Sequence, residues 1–178
     1  TDRHVAWPEF DVLGPITDPH ARSKVDHLGA TPFAETLYLD SDTRVRDDLG
    51  EMFLLLERFY MACALREAAV TRRRDPRGHR DVPVSFPEYN SGVMLYRDST
   101  ALRAFLGLWR QAYAGLGRKA DQRSFRDTLW ASEVRIAVLT PHYNARRFDP
   151  VAWFLRGERP VILHMNRYHP TKRRWVHA

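Results

Sequence analysis

Two aspartates separated by one residue follow an apolar segment, and their spacing suits the binding of a divalent cation. The segment 36–39 leads directly into Asp40, Ser41 and Asp42. In open α/β sheets, ligands bind beyond the carboxyl ends of the strands, which is where this pair would lie. Carboxylate oxygens are preferred ligands of Mg²⁺ and Mn²⁺, and phosphate oxygens often complete their coordination. The pair therefore predicts a cation site for a phosphorylated ligand, such as a departing diphosphate whose charge the ion would neutralise.

The elements that would position this pair are strands alternating with helices. Asp47 and Asp48 suit the positive start of a helix, and the apolar residues that follow predict that it covers 52–70. Ser99 can cap a second helix with apolar residues at three- and four-residue steps, and 120–130 forms a third. The alternation predicts one α/β domain over residues 1–178, with helices against a sheet and a surface loop at 71–87. Apolar or alternating segments predict strands at 4–7, 36–39, 92–96, 134–138 and 160–163.

Composition excludes several other classes of protein. The chain has 178 residues, 44% of them apolar and 12% aromatic, which is enough for a buried core and excludes a disordered chain. The single Cys63 cannot form an intramolecular disulfide, so no oxidising compartment is needed. The longest apolar run, 59–65, is far shorter than the roughly 20 residues that span a bilayer, and no signal peptide opens the sequence. We therefore expect a soluble, cytoplasmic domain.

The chain is basic, with 28 Lys and Arg against 22 Asp and Glu and a formal net charge of +6. A basic surface attracts anions such as nucleic acid or phosphorylated metabolites. The basic clusters at 72–74 and 172–174 are typical of a solvated loop and a solvated tail. No aromatic residues alternate with them as nucleic-acid binding would require, so we expect no nucleic-acid partner.

Two known families place an Asp-x-Asp motif after an apolar strand. In the haloacid-dehalogenase-like phosphatases the first Asp is the nucleophile, the second is the acid, and Thr or Val stands two places further on. This sequence has Arg44 at that place and offers no later acidic pair after a strand. The phosphatase pattern is therefore not met.

The second family is the nucleotide-sugar-dependent glycosyltransferases with the GT-A fold, which four parts of the chain resemble. Residues 22–24 and 31–43 are similar to the approach to that family's metal motif. Residues 87–96 contain Asn90, Ser91 and Gly92 and resemble the Asn-small-Gly-Val element of the glycogenin-like, family 8-like branch. Asp121 and Gln122 resemble its Asp-Gln pair at a helix start, and 161–164 resembles its late strand ending in a metal-ligating His. The four parts occur in the family's order.

The resemblance implies a metal centre and a donor site. Asp40, Asp42 and His164 would hold Mn²⁺ or Mg²⁺, with His169 open as the alternative to His164. The nucleoside-diphosphate sugar would be bound by a group that comprises Arg22, Lys24, Asp40, Ser91 and Gly92. Arg22 and Lys24 are equally consistent with a solvated helix face, and a single His after a strand is often structural.

The resemblance also implies three residues at the reacting sugar. Asn90 would direct its amide to the donor sugar, Asp121 would bind sugar hydroxyls, and Gln122 would stabilise positive charge or position the acceptor. Asp121 could also serve as a helix N-cap, and Asn90 as a turn residue. The implied reaction transfers a sugar, with UDP-sugar as the expected donor and retained configuration, to the hydroxyl of a glycan, protein or small molecule.

The sequence departs from the family in two places, which keeps other functions open. The chain begins after the family's first strand and helix, so we expect a GT-A-type sheet that lacks them. The pattern around His164 is also altered, because Met165, Asn166 and Arg167 follow it. A metal-dependent hydrolase of nucleotide or phosphorylated sugars, or a non-catalytic GT-A-like binding domain, are the alternatives. A homo-oligomer is compatible with the apolar residues of 52–70.

Overall fold

Strands and helices alternate along the chain in this computed structural model, which describes residues 8, 10–16, 18–66, 82–119, 121–146, 155, 157 and 159–165. None of the helices in these ranges is long and apolar enough to cross a membrane. The α-helices are α1 (Lys24–His27), α2 (Thr100–Gly115) and α3 (Asp121–Trp130). Short 3₁₀ helices cover Leu28–Ala30, Gly50–Glu57 and Pro141–Asn144. The strands are β1 (Glu35–Leu39), β2 (Thr43–Val45), β3 (Met61–Leu65), β4 (Tyr89–Arg97), β5 (Ile136–Leu139) and β6 (Ile162–His164).

Four of the strands form a mixed sheet in the order β1–β4–β3–β5. β4 is antiparallel to both of its neighbours, whereas β5 is parallel to β3. β2 and β6 form a separate antiparallel pair. A mixed sheet with flanking helices confirms the predicted α/β class.

Apolar side chains cover the sheet on both faces. On one face α2 and α3 supply an aromatic cluster, in which the Trp109 and Phe125 rings are 4.9 Å apart and nearly perpendicular at 82°. On the other face the 3₁₀ helix Gly50–Glu57 packs Met52 and Leu56 against the sheet. Every residue of β4 except Arg97 is buried. Because such close packing resists displacement, side chains placed by β4 are held by the core itself.

The helix predicted over 52–70 is wrong over residues 58–66, and residues 67–70 lie outside the described part of the chain. The 3₁₀ helix ends at Glu57, and the chain then enters β3, which pairs with β4 on one side and β5 on the other. The first four residues of β3, Met61 to Ala64, are all buried. A strand buried on both faces has no polar side, so its apolar run looks like that of a buried helix.

The remaining predicted elements are recovered with shifted ends. The strands predicted at 36–39, 92–96, 134–138 and 160–163 correspond to β1, β4, β5 and β6, and the helix at 120–130 is α3. Ser99 caps α2, because its hydroxyl accepts the Leu102 N–H at 3.2 Å. Sequence analysis missed α1 and β2. The strand predicted at 4–7, residues 71–81 of the predicted loop, both basic clusters and His169 lie outside the described residues.

The pairing of β3 with β4 is interrupted beside the predicted site. Cys63 lies opposite Met94, but the next residue, Ala64, lies opposite Asn90. The three residues between Asn90 and Met94 therefore have no partner on β3, and β4 bulges there. This bulge coincides with the Asn-small-Gly-Val element.

Candidate functional site

A tight turn after β1 carries the two aspartates. The Asp40 N–H donates to the Gly92 carbonyl at 2.8 Å and extends the β1–β4 ladder by one residue. The chain then reverses, because Thr43 donates to the Asp40 carbonyl from both its N–H, at 3.0 Å, and its hydroxyl, at 2.7 Å. These bonds keep Asp42 beside the end of β1.

The β2–β6 pair brings His164 to this turn. His164 lies opposite Thr43 in the ladder, and the Met165 N–H donates to the Asp42 carbonyl at 2.7 Å. The Nε2 atom of His164 is 3.2 Å from Oδ1 of Asp42 and 3.9 Å from Oδ2 of Asp40. One ligand atom from each of the three side chains lies within 4.8 Å of the other two. Residues 40, 42 and 164 therefore converge on one point.

The chemistry of these three side chains suits a divalent cation. Two ligands at right angles on an ion with bonds of about 2.1 Å are about 3 Å apart. The 3.2 Å between His164 Nε2 and Asp42 Oδ1 is close to that value. Two carboxylates and an imidazole give a mixed oxygen and nitrogen set, and three protein ligands leave room for phosphate oxygens. The residues present fit the group that the resemblance implies.

Lys24 and Tyr38 bind the other oxygen of Asp40. The Lys24 ammonium donates to Asp40 Oδ1 at 2.8 Å, and the Tyr38 hydroxyl donates to the same atom at 2.7 Å. Burial acts to raise the pKa of Asp40, but Lys24, Tyr38 and the nearby His164 together hold that pKa below its usual value. Asp40 is therefore ionised at neutral pH, with Oδ2 directed to the point of convergence.

Burial and charge together decide the protonation state of His164. Burial lowers the pKa of its imidazole, and the positive charges of Arg146 and Lys24 act in the same direction. Asp42 and Asp40 oppose this shift without reversing it. The ring is therefore neutral at neutral pH, which is the form that binds metal ions.

Buried amides contact the opposite side of the His164 ring. Oδ1 of Asn144 lies 2.8 Å from Nδ1 of His164, and the Asn144 amide nitrogen donates to Asn90 Oδ1 at 3.0 Å. The Gly92 N–H donates to the same Asn90 oxygen at 2.9 Å. The carbonyl oxygen of Asn90 thus accepts from two donors, and its amide nitrogen takes no part in these two bonds.

Gly92 lies directly against the imidazole. A Cβ atom at this position would be 2.1 Å from Cε1 and 2.8 Å from Nδ1 of His164, and 2.9 Å from Oδ1 of Asn90. Ordinary contacts to a Cβ atom begin at about 3.4 Å. The His164 ring thus approaches the backbone of Gly92 closely, and no side chain fits between them.

Asp121 faces the same end of β4 from the start of α3. Its Oδ2 accepts the Ser91 hydroxyl at 2.9 Å, and its Oδ1 is 3.4 Å from Nε of Arg22. The Trp109 indole N–H donates to the Asp121 carbonyl at 3.0 Å and so fixes the first turn of the helix. Gln122 follows at the same helix end and is half-buried. The Asp121 carboxylate is thus oriented by two neighbours and keeps lone pairs that can accept further hydrogen bonds.

The chain is similar in structure to solved glycosyltransferases. The apo form of mouse xyloside xylosyltransferase 1 matches with a TM-score of 0.50 and 18% identity, over 81% of this chain and 63% of that chain. An active-site mutant of LgtC matches with a TM-score of 0.50 and 16% identity, over 86% of this chain and 62% of that chain. The chain has the GT-A glycosyltransferase fold.

The chain covers only part of each structure that it matches. The glycosyltransferase GlyE of Streptococcus pneumoniae matches at 22% identity with a TM-score of 0.49, over 81% of this chain but 37% of that one. The chain thus spans from about a third to just under two thirds of the length of the structures it matches. No protein-family profile and no curated protein matches the sequence.

On this GT-A sheet most of the predicted site residues lie close together. Asp40, Asp42 and His164 form the possible metal site, Lys24 and Gly92 contact it, and Asn90 is linked to His164 through Asn144. Arg22, Ser91 and Asp121 form a second connected group, which joins the first because Lys24 donates to the Ser91 carbonyl at 2.6 Å.

Two residues of this site were missed by sequence analysis. Tyr38 was assigned only to a strand, although its alternation with Asp40 places both on the same face of β1. Asn144 lies in the 3₁₀ helix Pro141–Asn144, outside any motif, and is only 5% exposed. A buried amide next to a site is detectable only once the fold brings it there, so no sequence signal marked Asn144.

Proposed function

We propose that the chain is a glycosyltransferase that moves a sugar from a nucleoside-diphosphate donor, expected to be a UDP-sugar, to an acceptor hydroxyl with the help of Mn²⁺ or Mg²⁺. The observation that carries the proposal is the convergence of Asp40, Asp42 and His164 within 4.8 Å at the carboxyl end of β1. That place is where α/β sheets bind ligands, and the GT-A fold of the chain makes a sugar donor the natural ligand.

The metal centre would stabilise the departing diphosphate. A divalent cation bound there supplies positive charge to the diphosphate as the bond to the sugar breaks. Asp40 and Asp42 would hold the ion through one oxygen each, and His164 through Nε2. Lys24 keeps Asp40 ionised and turned toward the ion, because it occupies the other carboxylate oxygen at 2.8 Å.

Asp121, Gln122 and Asn90 would bind the sugar and stabilise the charge that develops on its ring. In glycosyl transfer the ring develops positive charge, so a nearby carboxylate and amide oxygens stabilise the transition state. Asp121 is 7% exposed and fixed by Ser91 and Arg22, so it can orient a sugar hydroxyl without reorganising. Gln122 would stabilise that charge or position the acceptor, and Asn90 would reach the sugar through its amide nitrogen. Retention of configuration is part of the proposal.

The decisive experiment is calorimetric titration of UDP into the protein with Mn²⁺ and again with EDTA. We expect binding with Mn²⁺ that EDTA abolishes and that Asp42→Asn reduces at least tenfold. Asp47→Asn removes the same charge at an exposed site near the turn and is the matched control, with unchanged affinity expected. Binding of equal strength in EDTA, or an unaffected Asp42→Asn variant, would contradict the metal centre.

Turnover distinguishes transfer from the alternatives. The protein is incubated with Mn²⁺ and a panel of UDP-sugars, with and without mixed sugar and peptide acceptors. A transferase forms a glycosylated product only when an acceptor is present. Release of free sugar at the same rate without acceptor would identify a hydrolase. Metal-dependent UDP binding without any turnover would support a binding domain.

A further inference from the structure

Three buried residues form a line of hydrogen bonds that starts at a main-chain N–H and ends at the His164 ring. Asn90, Asn144 and His164 are 2%, 5% and 5% exposed. The successive distances are 2.9 Å from Gly92 N to Asn90 Oδ1, 3.0 Å from Asn90 Oδ1 to Asn144 Nδ2, and 2.8 Å from Asn144 Oδ1 to His164 Nδ1. Because all three side chains are almost fully buried, their polar atoms must form hydrogen bonds with one another.

The direction of every bond in this line follows from the first. A main-chain N–H can only donate, so the atom of Asn90 that faces Gly92 must be the carbonyl oxygen. The Asn144 atom that faces this oxygen must then be the amide nitrogen, since two oxygens would repel each other. The other Asn144 atom is therefore its oxygen, and the His164 nitrogen that faces it must donate. In the neutral ring the proton is on Nδ1.

The consequence for His164 is an unprotonated Nε2. This nitrogen carries a lone pair and lies 3.2 Å from Asp42 Oδ1 and 3.9 Å from Asp40 Oδ2. Three electron-pair donors thus converge, with no hydrogen on Nε2 to separate them. A cation satisfies all three, whereas the other tautomer would direct an N–H at the same place and block it.

We propose that Asn144 is a positioning residue that selects the Nδ1-protonated tautomer of His164. This tautomer presents the Nε2 lone pair to the cation, so the proposal rests on the metal centre of the proposed function. The Gly92 N–H fixes the orientation of the Asn90 amide, and Asn90 in turn fixes the orientation of the Asn144 amide. The rigidity comes from the fold, because Ala145 donates to the Ile162 carbonyl at 2.9 Å and its own carbonyl accepts the His164 N–H at 3.0 Å. These two bonds tie the Asn144 segment to β6.

The tautomer can be observed in the metal-free protein by NMR of ¹⁵N-labelled histidine rings at pH 8.5, about two pH units above the ordinary pKa of an imidazole. His164 is assigned from the signals that disappear in His164→Gln. His20 is an internal reference of the opposite tautomer, because its Nδ1 accepts the Arg22 N–H at 3.2 Å and its Nε2 lies 2.7 Å from Asp26. We expect Nδ1–H for His164 and Nε2–H for His20. Nε2–H at His164 would overturn the proposal.

Three variants test the role of residue 144. Asn144→Leu has similar volume but no acceptor, so we expect a loss of the Nδ1–H preference and a 10- to 100-fold weaker affinity for Mn²⁺ alone, measured by electron paramagnetic resonance. Asn144→Asp keeps an acceptor for Nδ1 but places a second oxygen against Asn90 Oδ1, so it should restore the Nδ1–H tautomer and only part of the affinity. Tyr143→Phe is the control, because Tyr143 lies next to Asn144 in the same 3₁₀ helix and its hydroxyl bonds to the distant Glu51. It should change neither the tautomer nor the Mn²⁺ affinity.

The outcomes separate this proposal from the proposed function. If Asn144→Leu keeps both the tautomer and the Mn²⁺ affinity of the unmodified protein, Asn144 does not position His164, whatever reaction the protein performs. If Asn144→Leu does not fold, the wild-type tautomer and the Asn144→Asp variant still decide the matter. If the tautomer and the affinities behave as expected and no sugar is transferred, the transferase fails and the role of Asn144 stands.

Discussion

The close contact between Gly92 and His164 predicts that a single methyl group disrupts the site. In Gly92→Ala the new Cβ atom would lie 2.1 Å from Cε1 of His164, and since ordinary contact begins at about 3.4 Å, the ring must move by more than 1 Å. The ring is buried and bonded to Asn144, so the move breaks that bond and displaces Nε2 from Asp42. Overpacking of this kind costs about 1–3 kcal/mol of stability.

Two measurements follow the consequences of Gly92→Ala. Urea unfolding should show the loss of stability, and thermal unfolding should show a Tm lower by about 2–4 °C for each kcal/mol. Titration with Mn²⁺ and UDP should show an affinity reduced by about 10- to 100-fold, as for other displaced metal ligands. Gly107→Ala is the matched control, because nothing lies within 4 Å of that Cβ. In α2 it should stabilise the protein by roughly 0.5–1 kcal/mol.

A double-mutant cycle identifies the clash itself. In a His164→Ala background the imidazole is gone, so Gly92→Ala should cost only the part that arises from the 2.9 Å contact with Asn90. Equal costs of Gly92→Ala in the two backgrounds would refute the reasoning, as would a Gly92→Ala variant that binds UDP and Mn²⁺ with unchanged affinity.

Three further predictions test how the surrounding fold is held. Ser99→Ala removes the cap of α2 and should cost about 1 kcal/mol in urea unfolding, while Ser99→Thr should retain most of the stability. Burial raises the pKa of the Cys63 thiol, so little of the reactive thiolate is present. A disulfide reagent at pH 8 should therefore label Cys63 only after unfolding. Rapid labelling of the native protein would contradict the buried position of Cys63 in β3. Trp109→Phe removes the indole N–H that donates to the Asp121 carbonyl and should cost about 1–3 kcal/mol, with an unchanged urea midpoint as the contrary result.

The sequence was most informative where a local pattern dictates local structure. The apolar segment before Asp40 and the capping serine at 99 each predicted an element, because strand alternation and helix capping depend on neighbours in sequence. The resemblance of the segments around Asp40, Asn90, Asp121 and His164 to the glycogenin-like branch, in the same order, predicted that these residues share a site.

The sequence was least informative where structure depends on distant partners. The chain from Met61 to Leu65 forms a strand because β4 and β5 pair with it on both sides, and neither partner can be identified from the residues of β3 alone. Asn144 gains its role from Asn90 and His164, which are 54 and 20 residues away. Lys24 likewise contacts Asp40 only because the start of α1 lies beside the end of β1.

The β2–β6 pair has a consequence for the order in which the protein folds. It joins Thr43 to His164 across more than a hundred residues, with only three residue pairs in the ladder. A ladder this short is not stable by itself, and closing so long a loop carries a large entropic cost, so the pair must form after the four-stranded sheet has drawn its ends together. During synthesis the two aspartates are made well before His164, so we expect the site to be completed only in a late folding step.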